Sequence, residues 1–120
     1  MKPSHSLARS CLMIAAAAVA LLATSANAEA DKKVERLFKS KCASCHGQDG
    51  KGQTEKGKKL KLPDMTSADF KAKKEDEMRK AITEGIKIEK DGIKKEMDSF
   101  KDELKPEQID SLIEYVKAFK

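Results

Sequence analysis

Two thiols and an imidazole stand within five residues of one another in Cys42-Ala43-Ser44-Cys45-His46. The spacing is C-x-x-C-H, the attachment sequence for a c-type haem. On one helical turn the thiols sit three residues apart, so each can add to a vinyl group of the porphyrin while the adjacent imidazole reaches the iron. Two thioethers, through Cys42 and Cys45, would tether one covalent haem c, and His46 would be its proximal iron ligand. Three other chemistries fit less well. Structural zinc takes four Cys or His ligands, and only these three remain once an N-terminal signal containing His5 and Cys11 is removed. A thioredoxin-type pair follows a strand in a βαβ unit, and no β-branched strand precedes Cys42. A structural disulfide at this spacing would close a trivial loop.

The sixth iron ligand is narrowed by elimination. With His5 gone no second histidine is present, which excludes bis-His ligation within one molecule. Met65, Met78, Met97, a lysine or an open site remain. Met78 falls in a helical pattern with Ala81 and Ile82, where a packing role suits it. Met65 follows Pro63-Asp64 only 19 residues after His46, leaving little chain to cross to the opposite haem face. Met97 lies 51 residues after His46 in a Gly-, Lys- and Asp-rich stretch, expected to be a loop between two helical patterns. It is the ligand expected here, the alternative being that it only packs on the haem.

These side chains need a scaffold, and residues 1–28 are not part of it. Lys2 and Arg9, the apolar run Leu12 to Ala23 and the small-residue site Ala26-Asn27-Ala28 have the three parts of a cleaved secretory signal. The apolar run of about 12 residues is short of the ~20 that span a bilayer, so export to the periplasm without stable membrane insertion is expected. The remaining 29–120 would be one domain of 92 residues with 23 basic and 20 acidic side chains. Over all 120 residues only 39% are apolar and 4% aromatic, while 38% are charged, so the core is thin. A domain of this size needs reinforcement, and an attached haem would provide apolar surface for Phe38, Leu62, Phe100, Leu112 and Tyr115.

The periodicity is helical. Val34, Leu37, Phe38 and Cys42 predict a first amphipathic helix from Ala30 to Cys45, and Gly47, Gly50, Gly52 and Gly57 predict a loop after it. A second helix is expected over Lys74 to Glu84, ended by Gly85. The last helix starts at Pro106, with Leu104 and Ile109 placed for a hydrophobic staple. Ile109, Leu112, Ile113, Val116 and Phe119 make its apolar face. No run alternates with period two long enough to require a sheet, so the class expected is all-α, with three to four short helices around one haem.

These residues together resemble the class I c-type cytochromes, small soluble monohaem electron carriers. Cys42-Ala43-Ser44-Cys45-His46-Gly47, Met97-Asp98-Ser99-Phe100 and Leu112-Ile113-Glu114-Tyr115-Val116 carry the resemblance, which covers essentially all of 29–120. It implies a cytochrome c-like fold whose first and last helices cross beside the haem, with Phe38 and Tyr115 packing at the crossing. It also implies that a loop carbonyl, that of Pro63, accepts the Nδ1–H of the proximal His46. The chain departs from the family pattern at Val34, where a Gly or Ala is common, and at Asp98, where many relatives have Pro after the ligand methionine.

The function expected is one-electron exchange between a donor and an acceptor redox protein, without enzymatic turnover, by a monomer. Lys51, Lys56, Lys58, Lys59 and Lys61 against Glu55 give +4 over eleven residues, which would suit an acidic docking surface on a partner. Nucleic acid is disfavoured, because Lys and Glu are interspersed and aromatic residues are scarce. An open-site haem sensor, a peroxidase-like enzyme and a fixed subunit of a membrane redox complex are the alternative readings.

Overall fold

The computed structural model describes residues 28–120; the expected signal segment, all but its last residue, lies outside them. Residues 28–41 are helical (α1) and are followed, after a turn at Cys42, by α2 (Ala43–His46). Three further short helices are α3 (Glu55–Lys59), α4 (Ala68–Lys71) and α5 (Glu75–Glu84). Then come two strands, β1 (Ile86–Lys90) and β2 (Ile93–Met97), and the last helix α6 (Pro106–Lys117). Val34–Lys120 form one compact unit.

The core forms where α1 meets α6. Phe38 is fully buried, with its ring centroid 5.4 Å from that of Tyr115 and 5.3 Å from that of Phe119. Tyr115 and Phe119 meet edge to face at 5.2 Å, so three rings close on one another, a geometry favoured by the aromatic quadrupole. The expected contact of Phe38 with Tyr115 is therefore present, and Phe119 joins it from beyond the end of α6. Around these rings lie Ile109, Leu112, Ile113 and Val116, one stripe of α6.

Local chemistry sets the boundaries of α6. Pro106 occupies its first turn, and the Gln108 side-chain oxygen accepts from the Lys105 N–H at 2.9 Å. Leu104 and Ile109 are both buried on either side of this start, as a hydrophobic staple requires. α5 packs on α6 and is tied to it by Arg79 with Asp110 and by Lys117 with Glu75. These pairs are exposed and contribute little energy each.

The all-α expectation is corrected by the hairpin. β1 and β2 pair antiparallel, with Ile86 opposite Met97 and Lys90 opposite Ile93. Asp91 (φ 54°) and Gly92 (φ 72°) turn the chain with two positive φ angles, the type I′ geometry that matches strand twist. Met97, expected in a loop, is thus the last residue of a strand. α3 and α4 were equally absent from the periodicity. Each is a single turn or little more, started by a side-chain cap: the Thr54 hydroxyl accepts from the Gly57 N–H, and that of Ser67 from the Phe70 N–H.

Candidate haem site

Cys42, Cys45 and His46 are brought together on one turn. The N–H groups of Cys45 and His46 both donate to the Cys42 carbonyl, at 3.2 and 3.0 Å, while the Cys42 N–H donates to Phe38 at 2.8 Å. The turn is therefore continuous with the helix that buries Phe38 one turn earlier on the same face. Both thiols are free and half-buried. Burial, with a smaller contribution from Cys45, pushes the Cys42 thiol up to about 11. Burial likewise lowers the His46 pKa, which keeps the imidazole neutral and fit to ligate a metal.

The glycine-rich segment after the motif is pinned to it by backbone chemistry. The Gly52 N–H donates to the His46 carbonyl at 2.8 Å, and the Thr54 hydroxyl donates to the Cys45 carbonyl at 2.6 Å. The same hydroxyl accepts from the Gly57 N–H at 2.9 Å, so Thr54 links the motif turn to α3. A Cβ on Gly57 would lie 2.2 Å from the Gly52 carbonyl oxygen and 2.7 Å from that of Cys45. Only glycine lets α3 approach this closely.

The expected bond from His46 to Pro63 is not formed. Pro63 is exposed, and the His46 Nδ1 is buried with no hydrogen-bond partner among the described residues. A buried ring nitrogen left in this state is costly in a chain standing alone. Among the described residues no three His, Cys, Asp or Glu side chains are disposed to hold a bare metal ion. Two accessible thiols beside that imidazole are instead the donor set of a covalently tethered haem. The residues present fit the group.

The methionines occupy three different settings. Met65 and Met78 are each 6% exposed and belong to the hydrophobic core. Met97 is half-buried, on a separate element from the motif, and its position is fixed by the end of α5. The Phe100 N–H donates to the Ile82 carbonyl at 2.9 Å, and the Ser99 hydroxyl donates to the Thr83 carbonyl at 2.6 Å. Gly85, at φ 77°, passes so near that a Cβ would lie 2.5 Å from the Met97 carbonyl oxygen. This strap was not foreseen from the sequence; only Gly85 and the Ser99 hydroxyl signal it.

Comparison with known proteins follows the same lines. The sequence pattern of the cytochrome c family matches residues 32–120. A search of curated proteins returned no match. Among solved structures, the KustC0563 c-type cytochrome is similar, with 29% identity and a TM-score of 0.59, over 72% of this chain and 95% of that one. The match spans the motif turn, the hairpin and the terminal helix alike: this chain belongs to the cytochrome c family, and the group that Cys42 and Cys45 are placed to hold is a covalently attached haem c.

Proposed function

We propose that this protein is an exported monohaem electron carrier whose axial ligands are His46 and Met97. When bound, the haem supplies a one-electron ferric/ferrous couple. The motif turn would hold the ring through Cys42, Cys45 and His46, with α1 and the Phe38 cluster behind that turn. Met97 would be offered by a strand end strapped to α5, while Met65 and Met78 are taken up by the core. The observation that carries the reading is this division: two free thiols beside a half-buried, neutral imidazole on one turn, and one half-buried, tethered methionine on another element.

With His46 and Met97 both engaged no position would be left for substrate, and the work of these residues would be to hold the group and exclude water from it. Docking to partners is transient, through a small interface. Lys51, Lys56, Lys58, Lys59 and Lys61 are all exposed, and α3 is anchored to the motif turn through Thr54. They suit an acidic partner surface and would speed encounter at low salt. Among the described residues no helix is long and apolar enough to cross a membrane; the signal-like residues 1–28 support release into the periplasm. Rapid-mixing measurements on the reduced holoprotein test the reading. Slow and weak carbon monoxide binding with fast electron exchange to another redox protein is expected, and fast, tight carbon monoxide binding would favour an open-site sensor or enzyme.

A further inference from the structure

The two faces of the β-hairpin differ in chemistry. Side chains alternate along a strand, so cross-strand register sorts them. Lys87 stands opposite Glu96 and Glu89 opposite Lys94, and all four are exposed. The Lys87 ammonium lies 3.8 Å from Glu96, as a solvated cross-strand pair. The other face carries Ile86 opposite Met97, Ile88 opposite Lys95 and Lys90 opposite Ile93. Ile86, Ile93, Lys95 and Met97 are half-buried, whereas Ile88, 53% exposed, is the large apolar side chain most open to solvent among the described residues.

The apolar face is thus the face that bears Met97. Side chains stand roughly perpendicular to their sheet. An axial ligand approaches iron along the normal to the haem plane. If Met97 ligates, the hairpin must then lie nearly flat over the haem, with Ile86 and Ile88 directed at the ring. Two residues along a strand span about 7 Å, so the Ile88–Lys95 pair is displaced from the iron toward the rim of the ring. Lys95 is a half-buried cation set among Ile88, Ile93 and Met97, and among the described residues it has no ion-pair partner. The haem periphery carries carboxylates that would match it.

We infer that the β1–β2 hairpin is the distal cover of the haem, with Ile86 and Ile88 packed on the ring and the Lys95 ammonium paired with a haem propionate. The inference rests on ligation by Met97. It explains why an exposed isoleucine stands on a hairpin otherwise rich in charge, and why the hairpin's one half-buried lysine lies on the apolar face. Lys95 is a positioning residue that also sets charge near the iron. Removing its charge destabilises the reduced, less positive centre and lowers the reduction potential.

Proton NMR of the reduced, diamagnetic holoprotein tests both layers in one spectrum. A methyl group above the porphyrin is shifted far upfield by the ring current. The Met97 methyl reports ligation, and the Ile86 and Ile88 methyls, assigned through Ile88→Val and Ile86→Val, report the cover. All three are expected upfield. A second arm compares Lys95→Gln with Lys94→Gln on the opposite face: the first is expected to lower the potential several-fold more than the second. Upfield Met97 with ordinary Ile86 and Ile88 shifts, or equal effects of the two lysine variants, would overturn the cover while leaving the ligand assignment standing. An ordinary Met97 methyl shift would overturn the ligand assignment and the cover with it.

Discussion

Gly85→Ala should release Met97 from the iron without unfolding the protein. Gly85 adopts φ 77° and ψ −178°, a region essentially confined to glycine, so a side chain there costs about 1–3 kcal/mol of backbone strain. A Cβ would also lie 2.5 Å from the Met97 carbonyl oxygen, 2.9 Å from the Ser99 nitrogen and 3.1 Å from the Asp98 carbonyl carbon. Overpacking of this kind adds about 1–3 kcal/mol. The strap it strains consists mainly of the Phe100 N–H to Ile82 and Ser99 hydroxyl to Thr83 bonds, each contributing about 1 kcal/mol net. The strap is the weaker party, so it yields before the aromatic core between α1 and α6. Gly92→Ala is the matched control: φ is 72°, but nothing lies within 4 Å of its Cβ, so only a left-handed cost of about 1–2 kcal/mol applies. Temperature scans should follow the far-red methionine-to-iron absorption band of the ferric protein and, separately, the far-ultraviolet helix signal. The band should vanish at a much lower temperature in Gly85→Ala than in Gly92→Ala, with helix melting little changed. Equal losses in the two variants, or a wild-type band temperature in Gly85→Ala, would refute the reasoning.

Other substitutions probe separate parts of the scaffold. Met65→Ala should cost about 2–5 kcal/mol of stability in denaturant titration, because its side chain fills the core, yet leave the far-red band in place. Thr54→Val removes the link from Cys45 to α3 and should cost about 1–2 kcal/mol, a fall of about 4–16 °C in melting temperature, with Thr54→Ser restoring most of it. Phe38→Ala should cost about 3–5 kcal/mol and sharply reduce the yield of holoprotein from cells, since three rings lose their common contact.

The motif and the long helices were legible because their signals are local. Cys42, Cys45 and His46 declare themselves by spacing alone, and Ile109, Leu112, Ile113 and Val116 repeat often enough to define a face. Gly85 marked the end of α5 through a requirement on one residue's backbone. The hairpin escaped because each strand has only five residues and its apolar positions, Ile86 and Ile88 against Ile93 and Met97, are diluted by lysine on both faces. Asp91-Gly92 was the available signal, a pair suited to two positive φ angles. α3 and α4 are too short for any period, and only their Thr54 and Ser67 caps foretell them. Pro63 and the His46 Nδ1 fall apart because an acceptor's position depends on the path of the 47–65 segment, which is set by non-repeating backbone bonds of Gly52 to His46, Leu62 to Gly57 and Met65 to Gly50.

The ligand pair is the centre of the account, and one comparison addresses it directly: the visible and far-red spectrum of the ferric holoprotein before and after Met97→Ala. A low-spin spectrum with a far-red methionine band in the natural protein, and loss of that band in the variant, is the result this structure predicts. A far-red band that survives Met97→Ala, or none in the natural protein, would contradict ligation by His46 and Met97.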